Sequence, residues 1–193
     1  RHAISMDTDG LIRSGEGFDQ VTWMDVRVGD ILPTPRHGKP VEINAYWYNA
    51  LLIMDYFGKE YGLASEDEMN YAELAELVKE SFLAKFWNEE KNCLKDVLSG
   101  TKSDNQIRCN QIWAISLPFS ILPADKEKAV VETVFQKLYT PYGLRTLAKG
   151  EDGYVSHYDG DPVKRDMSYH QGIVWVWLIG LYHDAFKNII DDE

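Results

Sequence analysis

Residues 41–62 read VEINAYWYNALLIMDYFGKEYG, and this stretch decides the fold. Its periodicity predicts a helix in which Tyr46, Trp47, Tyr48, Leu51, Leu52, Ile53 and Met54 leave almost no polar face. A helix that is apolar all round is a buried helix. The next segment differs. Ser65 and Glu68 make a capping-box pattern, and Glu68–Trp87 is amphipathic. Leu74, Val78, Phe82 and Phe86 share one stripe, with Glu73, Glu76, Lys79 and Glu80 off it. Asn110–Ser120 is again mostly apolar, until Pro118 ends it. Asp125–Leu138 is amphipathic, with Val130, Val131, Val134, Phe135 and Leu138 facing inward. Tyr169–Ile190 starts apolar all round and turns polar near its end. The order buried, exposed, buried, exposed, buried predicts an all-α protein with inner and outer helices.

The connections carry a second regularity. Exposed helices follow short ones, Leu63–Asp67 and Ile121–Ala124. Buried helices follow long ones, Arg1–Pro40, Asn88–Cys109 and Tyr139–Ser168. In a barrel of helical hairpins the three long loops gather at one end, and long ordered loops are where function concentrates.

Composition narrows the function. The 193 residues hold 20 Lys and Arg against 31 Asp and Glu, a formal charge of −11. That balance disfavours nucleic acid and an acidic membrane surface. The longest apolar run, Gly172–Tyr182, is too short to span a bilayer. No signal peptide opens the chain. Cys93 and Cys109 form no CxxC pair, so a reducing cytoplasm is the default reading. No metal-ligand spacing, nucleotide-binding loop or nucleophile elbow is present, and no cofactor is expected. Six Trp, eleven Tyr and seven Phe stand out. Core packing accounts for many such rings; a site that stacks flat, uncharged sugar rings is the rival explanation.

The long loops hold the unusual polar residues. In the first, Asp25 follows Trp23 and Met24, a setting expected to desolvate a carboxylate and suit it to general acid work. A loop cap is the plainer role. Arg36 and Lys39 lead into Glu42 and Asn44, in the first turn of the buried helix. They suit a hydroxylated ligand, or the helix dipole in the case of Glu42. In the second loop, alternation around Leu94–Leu98 suggests a short strand and hairpin at the barrel mouth. Asp96, Arg108 and Gln111 offer ligand contacts or a structural ion pair. The third ends in the cluster Tyr169-His170-Gln171-Gly172, with Trp175 close behind. There His170 is either a ligand contact or a satisfied core histidine.

Several of these runs together resemble one family. Thr22-Trp23-Met24-Asp25, Pro35–Ala45, Arg108–Pro118, Tyr142–Leu147 and Tyr169–Leu178 occur in the order found in the C-terminal amylo-α-1,6-glucosidase domain of glycogen debranching enzymes. The resemblance covers about Gly10–Tyr182. Val176 and Leu181 stand where family members often carry Pro, and neither change removes a chemical group.

The resemblance implies part of an (α/α) barrel of six hairpins, like glucoamylases and trehalases. It also implies hydrolysis of α-1,6-linked glucose at branch points of glycogen or a related α-glucan. Asp25 matches the general acid of an inverting pair, whose partner base stands about 6.5–9.5 Å away. Trp23 would wall the glucose subsite, and Arg36, Lys39, Glu42 and Asn44 would hold its hydroxyls. No residue matches the base; Glu42 and Asp166 are weak substitutes. Five main helices are too few for twelve, and the chain begins at Arg1. The expectation is therefore a single partial domain spanning 1–193, truncated at both ends, inactive alone and self-associating through exposed barrel faces. A non-catalytic carbohydrate-binding module and another α-glucosidase or trehalase-like enzyme of the same clan are the alternatives.

Overall fold

The computed structural model describes residues 3–62 and 70–191. The chain begins with a small antiparallel pair, β1 (Ser5–Met6) and β2 (Ile12–Arg13). β3 (Lys39–Pro40) runs directly into α1 (Val41–Tyr61). Gly62 ends α1 in the left-handed conformation, with φ 63°. α2 (Tyr71–Phe86) is capped by Asn70, whose side chain accepts from the Glu73 N–H at 3.1 Å. The expected capping box at Ser65 and Glu68 lies outside the described residues, as does the short connection Leu63–Asp67. α2 buries Ala75, Val78, Phe82 and Phe86 and packs against α1. Most of the anticipated stripe is therefore present.

Four short strands follow: β4 (Trp87–Asn88), β5 (Cys93–Leu94), β6 (Val97–Ser99) and β7 (Lys102–Asp104). A 3-10 turn at Cys109–Ile112 leads into α3 (Trp113–Ser116). Then come α4 (Ala124–Lys137), β8 (Tyr139–Thr140), β9 (Gly143–Arg145), α5 (Pro162–Ser168), β10 (Val174–Trp175) and α6 (Leu178–Asp191). The core joins α1, α2, the α3 region, α4 and α6 around Phe82, Phe86, Ile112, Ile115, Val130, Val134 and Leu178.

The all-α expectation needs correction. Helices form the body, but among the described residues ten strands of two or three residues build four small antiparallel sheets in the loops. One of these sheets and one isolated bridge do what the loop lengths foretold, by drawing the long loops together. β3 pairs with β6, joining the first loop to the second, and β6 turns back into β7. β9 pairs with β10, and Arg108 bridges Leu147, joining the second loop to the third. Gly38 permits the first junction. Its φ is 114°, and a Cβ there would strike the Leu98 carbonyl.

Three helix expectations also change. Asn110–Ser120 contributes only one α-helical turn, because Leu117 is already extended ahead of Pro118. The helix expected from Tyr169 starts only at Leu178. Gly172 adopts φ 123°, and the chain then enters β10. Any side chain at Gly172 would collide with the Tyr154 ring and the Val155 carbonyl. Third, α1 is not buried all round. It buries Val41, Glu42, Asn44, Ala45, Tyr48, Asn49 and Leu51, all in its first half. Its second half exposes Ile53, Met54, Tyr56, Phe57 and Tyr61, because no described element packs on that face. Phe135 likewise faces outward, where it joins a cluster of rings with Tyr139 and Tyr182.

Candidate functional site

The junction of the three loops holds a buried polar network. Arg36 sits at its centre with its side chain only 2% exposed. Its guanidinium grips both Glu42 oxygens, one of them at 2.6 Å. The same group donates to Asp96 at 2.8 and 3.1 Å. Burial works against the charge on Arg36, but Asp96 and Glu42 outweigh it and raise its pKa. Arg108 brings a second cation, its Nε 4.0 Å from Asp96. Two guanidinium groups thus face two carboxylates, and the cluster is charge-balanced in the interior. Burial pushes the Glu42 carboxyl up while Arg36 pulls it back. Asp104, 3.9 Å from Arg108, is also raised, by burial first and then by Asp96.

This network positions the aromatic residues. The Asn110 amide donates to Asp96 at 2.8 Å, and its oxygen accepts the Trp23 indole N–H at 2.7 Å. Trp23 is thereby tied to the second loop. Its ring meets His170, Trp175 and Trp177 edge-on, with centroids 5.1, 5.8 and 5.1 Å away. Arg108 fixes the third loop by donating to the His170 carbonyl and the Gln171 side-chain oxygen, each at 2.9 Å. Gln171 in turn donates to the Pro33 carbonyl at 2.6 Å. Tyr169 packs against Trp175 at 4.9 Å and accepts its indole N–H through the backbone. The result is a wall of flat rings at the mouth. Trp23 and Trp175 are half-buried and Trp177 is exposed.

His170 is 1% exposed, and its Nδ1 has no hydrogen-bond partner. Burial, with the positive charges of Arg108 and Arg36, depresses its pKa from 6.5 to about 4. It is therefore neutral at physiological pH.

Other expected site residues have structural tasks. Asn44 is fully buried; it accepts from the Ile12 N–H at 2.7 Å and donates to the Ile12 and Pro40 carbonyls, which fastens β2 to α1. Gln111 accepts from the Leu94 N–H and donates to the Arg108 carbonyl. Lys39 points away from the network and pairs with Asp9 at 2.7 Å and Asp7 at 3.0 Å. These three do not offer free polar atoms to a ligand beside Trp23. Arg36 and Glu42 likewise spend their bonding capacity on one another and on Asp96.

Asp25 also departs from expectation. Met24 turns into the core and Asp25 turns outward, so its sequence neighbours do not remove it from water. Among the described residues its carboxylate makes no hydrogen bond or ion pair. It is an exposed group two residues along the chain from Trp23. Two contributors had no distinct sequence signal. Asn110 was masked by its neighbour Gln111, and Trp177 by the helix expected to contain it.

Comparison with known proteins agrees with this architecture. A family profile described as amylo-alpha-1,6-glucosidase matches residues 1–193. The chain belongs to the amylo-alpha-1,6-glucosidase family. The chain is also similar to two curated proteins of Saccharomyces cerevisiae. The glycogen debranching enzyme is 26% identical over 221 residues, covering 93% of this chain and 14% of the relative. The mannosyl-oligosaccharide glucosidase is 28% identical over 132 residues, covering 64% of this chain and 15% of the relative. Yeast neutral trehalase shares the fold, with a TM-score of 0.62 and 16% identity over 78% of this chain and 28% of that one. The family is thus one of glycoside hydrolases, and the chain spans about one seventh of the length of the curated relatives it matches. Among the described residues no helix is long and apolar enough to cross a membrane.

Proposed function

We propose that this chain supplies the acid side of an inverting α-1,6-glucosidase site, acting on branch points of glycogen or a related α-glucan. The carrying observation is Asp25: an exposed, unpaired carboxylate two residues along the chain from Trp23, whose ring meets Trp175 and Trp177. The wall offers apolar faces to a glucose ring, and Asp25 donates its proton to the glycosidic oxygen. The described segment forms part of a six-hairpin (α/α) barrel, in keeping with the trehalase likeness. The chain functions in the cytoplasm.

The general base comes from outside the described site. Glu42 and Asp96 are buried carboxylates held by Arg36, and a base must reach a water on the opposite face of the sugar. Asp166 lies on α5, where its backbone carbonyl accepts from the Tyr169 N–H. The 193-residue chain alone is therefore expected to release no glucose from limit dextrin.

The test uses the longer protein containing this segment, incubated with phosphorylase limit dextrin. Asp25→Asn should lower glucose release by about 10²–10⁴-fold, the usual contribution of a general acid. Undiminished release would remove Asp25 from the mechanism. Turnover by the 193-residue chain would show that the base lies within it.

A further inference from the structure

On the other side of β3 from the aromatic wall lies a cleft of about 630 Å³. Arg13, Lys39, Lys85, Lys95 and Lys102 line it, whereas the chain as a whole carries −11. Only Asp7 among the lining residues is acidic, and Asp9 lies beneath, bonded to Lys39 and Lys85. Five cations therefore face two carboxylates. Arg13 and Lys102 are exposed and make no ion pair among the described residues.

The neutral lining points the same way. Ser99 and Thr101, on the hairpin from β6 to β7, add two hydroxyls, while Ser103 donates its own to the Asn105 side chain at 2.9 Å. Cations combined with hydroxyl donors suit a group with several acceptor oxygens. A neutral glucan has no use for such a concentration of positive charge. A cavity of this size is also larger than an inorganic anion requires and falls in the range of small-molecule sites.

We propose that the cleft formed by Arg13, Lys39, Lys85, Lys95 and Lys102 binds a sugar phosphomonoester, at a site distinct from the aromatic wall. Lys39 and Lys85 are held in place by Asp7 and Asp9, so the cleft is preorganised. Arg13 and Lys102, free of partners, close on the phosphate. The hydroxyls of the β6–β7 hairpin receive the sugar end. The segment ahead of β3 links the site to the buried network, since Arg36 enters that network and His37, Gly38 and Lys39 line the cleft.

Titration calorimetry on the 193-residue chain tests this, with glucose 6-phosphate, inorganic phosphate and glucose as separate ligands at matched ionic strength. Saturable binding of glucose 6-phosphate, tighter than inorganic phosphate, is expected. The exposed pair Arg13→Ser and Lys102→Ser should fold normally and weaken that binding by at least about tenfold, the worth of a lost charge-assisted hydrogen bond. Absence of saturable binding would overturn the proposal, as would an affinity unchanged in the double variant. Equal affinity for the two phosphates would overturn the sugar assignment.

Discussion

Two charge clusters flank β3, and they behave in opposite ways. On one side Arg36, Glu42, Asp96 and Arg108 are almost completely buried. On the other, Lys39 and Lys85 meet Asp9 nearer the surface, where the Lys85 side chain is 46% exposed and those of Lys39 and Asp9 are 13% and 14% exposed. Both are salt-bridge clusters by geometry. Only the first has lost its water, so only there does removing one partner leave a bare charge in the interior. The surface cluster keeps solvent as a substitute partner. The buried cluster fixes how the three loops meet; the surface cluster shapes a cleft.

Substitution tests that contrast. Arg36→Met should be the most damaging change, because it strands Glu42 and Asp96 together in the core. A loss of about 3–5 kcal/mol is expected, visible as a large drop in urea midpoint. A loss below about 1 kcal/mol would place the two clusters in one class.

Acid should reach the buried cluster next. His170 titrates at about 4 in the fold against 6.5 for a free histidine. The unfolded chain therefore takes up the proton first as pH falls. The stability due to neutral His170 is complete above pH 6.5 and drains away as the pH drops to 4. About 3 kcal/mol is at stake. His170→Gln should flatten the fall in urea midpoint between pH 7 and 4.5; an unchanged slope would contradict the buried neutral state.

Asn110→Ala follows. It frees the Trp23 indole and one Asp96 oxygen, for about 1–3 kcal/mol. Its distinguishing sign is altered near-ultraviolet circular dichroism from a loosened Trp23. Smallest is Lys85→Met, at about 0–1 kcal/mol, because Lys39 still pairs with Asp9. Burial alone would raise Asp9, but hydrogen bonds from Lys39 and Lys85 hold it at about 2. Lys85→Met should move that titration upward, as read by NMR of its carboxyl carbon.

The sequence was most legible where local periodicity decides the outcome. α2 follows its stripe, with Val78, Phe82 and Phe86 inside. The gathering of the long loops was legible too, from connection lengths. What escaped depends on residues far apart in sequence. Gly172 breaks a helix pattern because Tyr154 and Val155 stand against it, and no local window contains both facts. The outward turn of Asp25 is set by where Met24 finds the core. Arg36 read as a hydroxyl binder because its partner Asp96 lies 60 positions away. The apolar second half of α1 reads as buried, and its surface here lies open.

The central claim is that Asp25 acts as the proton donor beside the Trp23 wall. The most direct measurement compares two substrates in the longer protein: limit dextrin, whose sugar leaving group needs protonation, and α-glucosyl fluoride, whose fluoride does not. Asp25→Asn should lose dextrin hydrolysis by about 10²-fold or more while keeping most of its activity on the fluoride. Equal losses on both substrates would contradict the acid assignment.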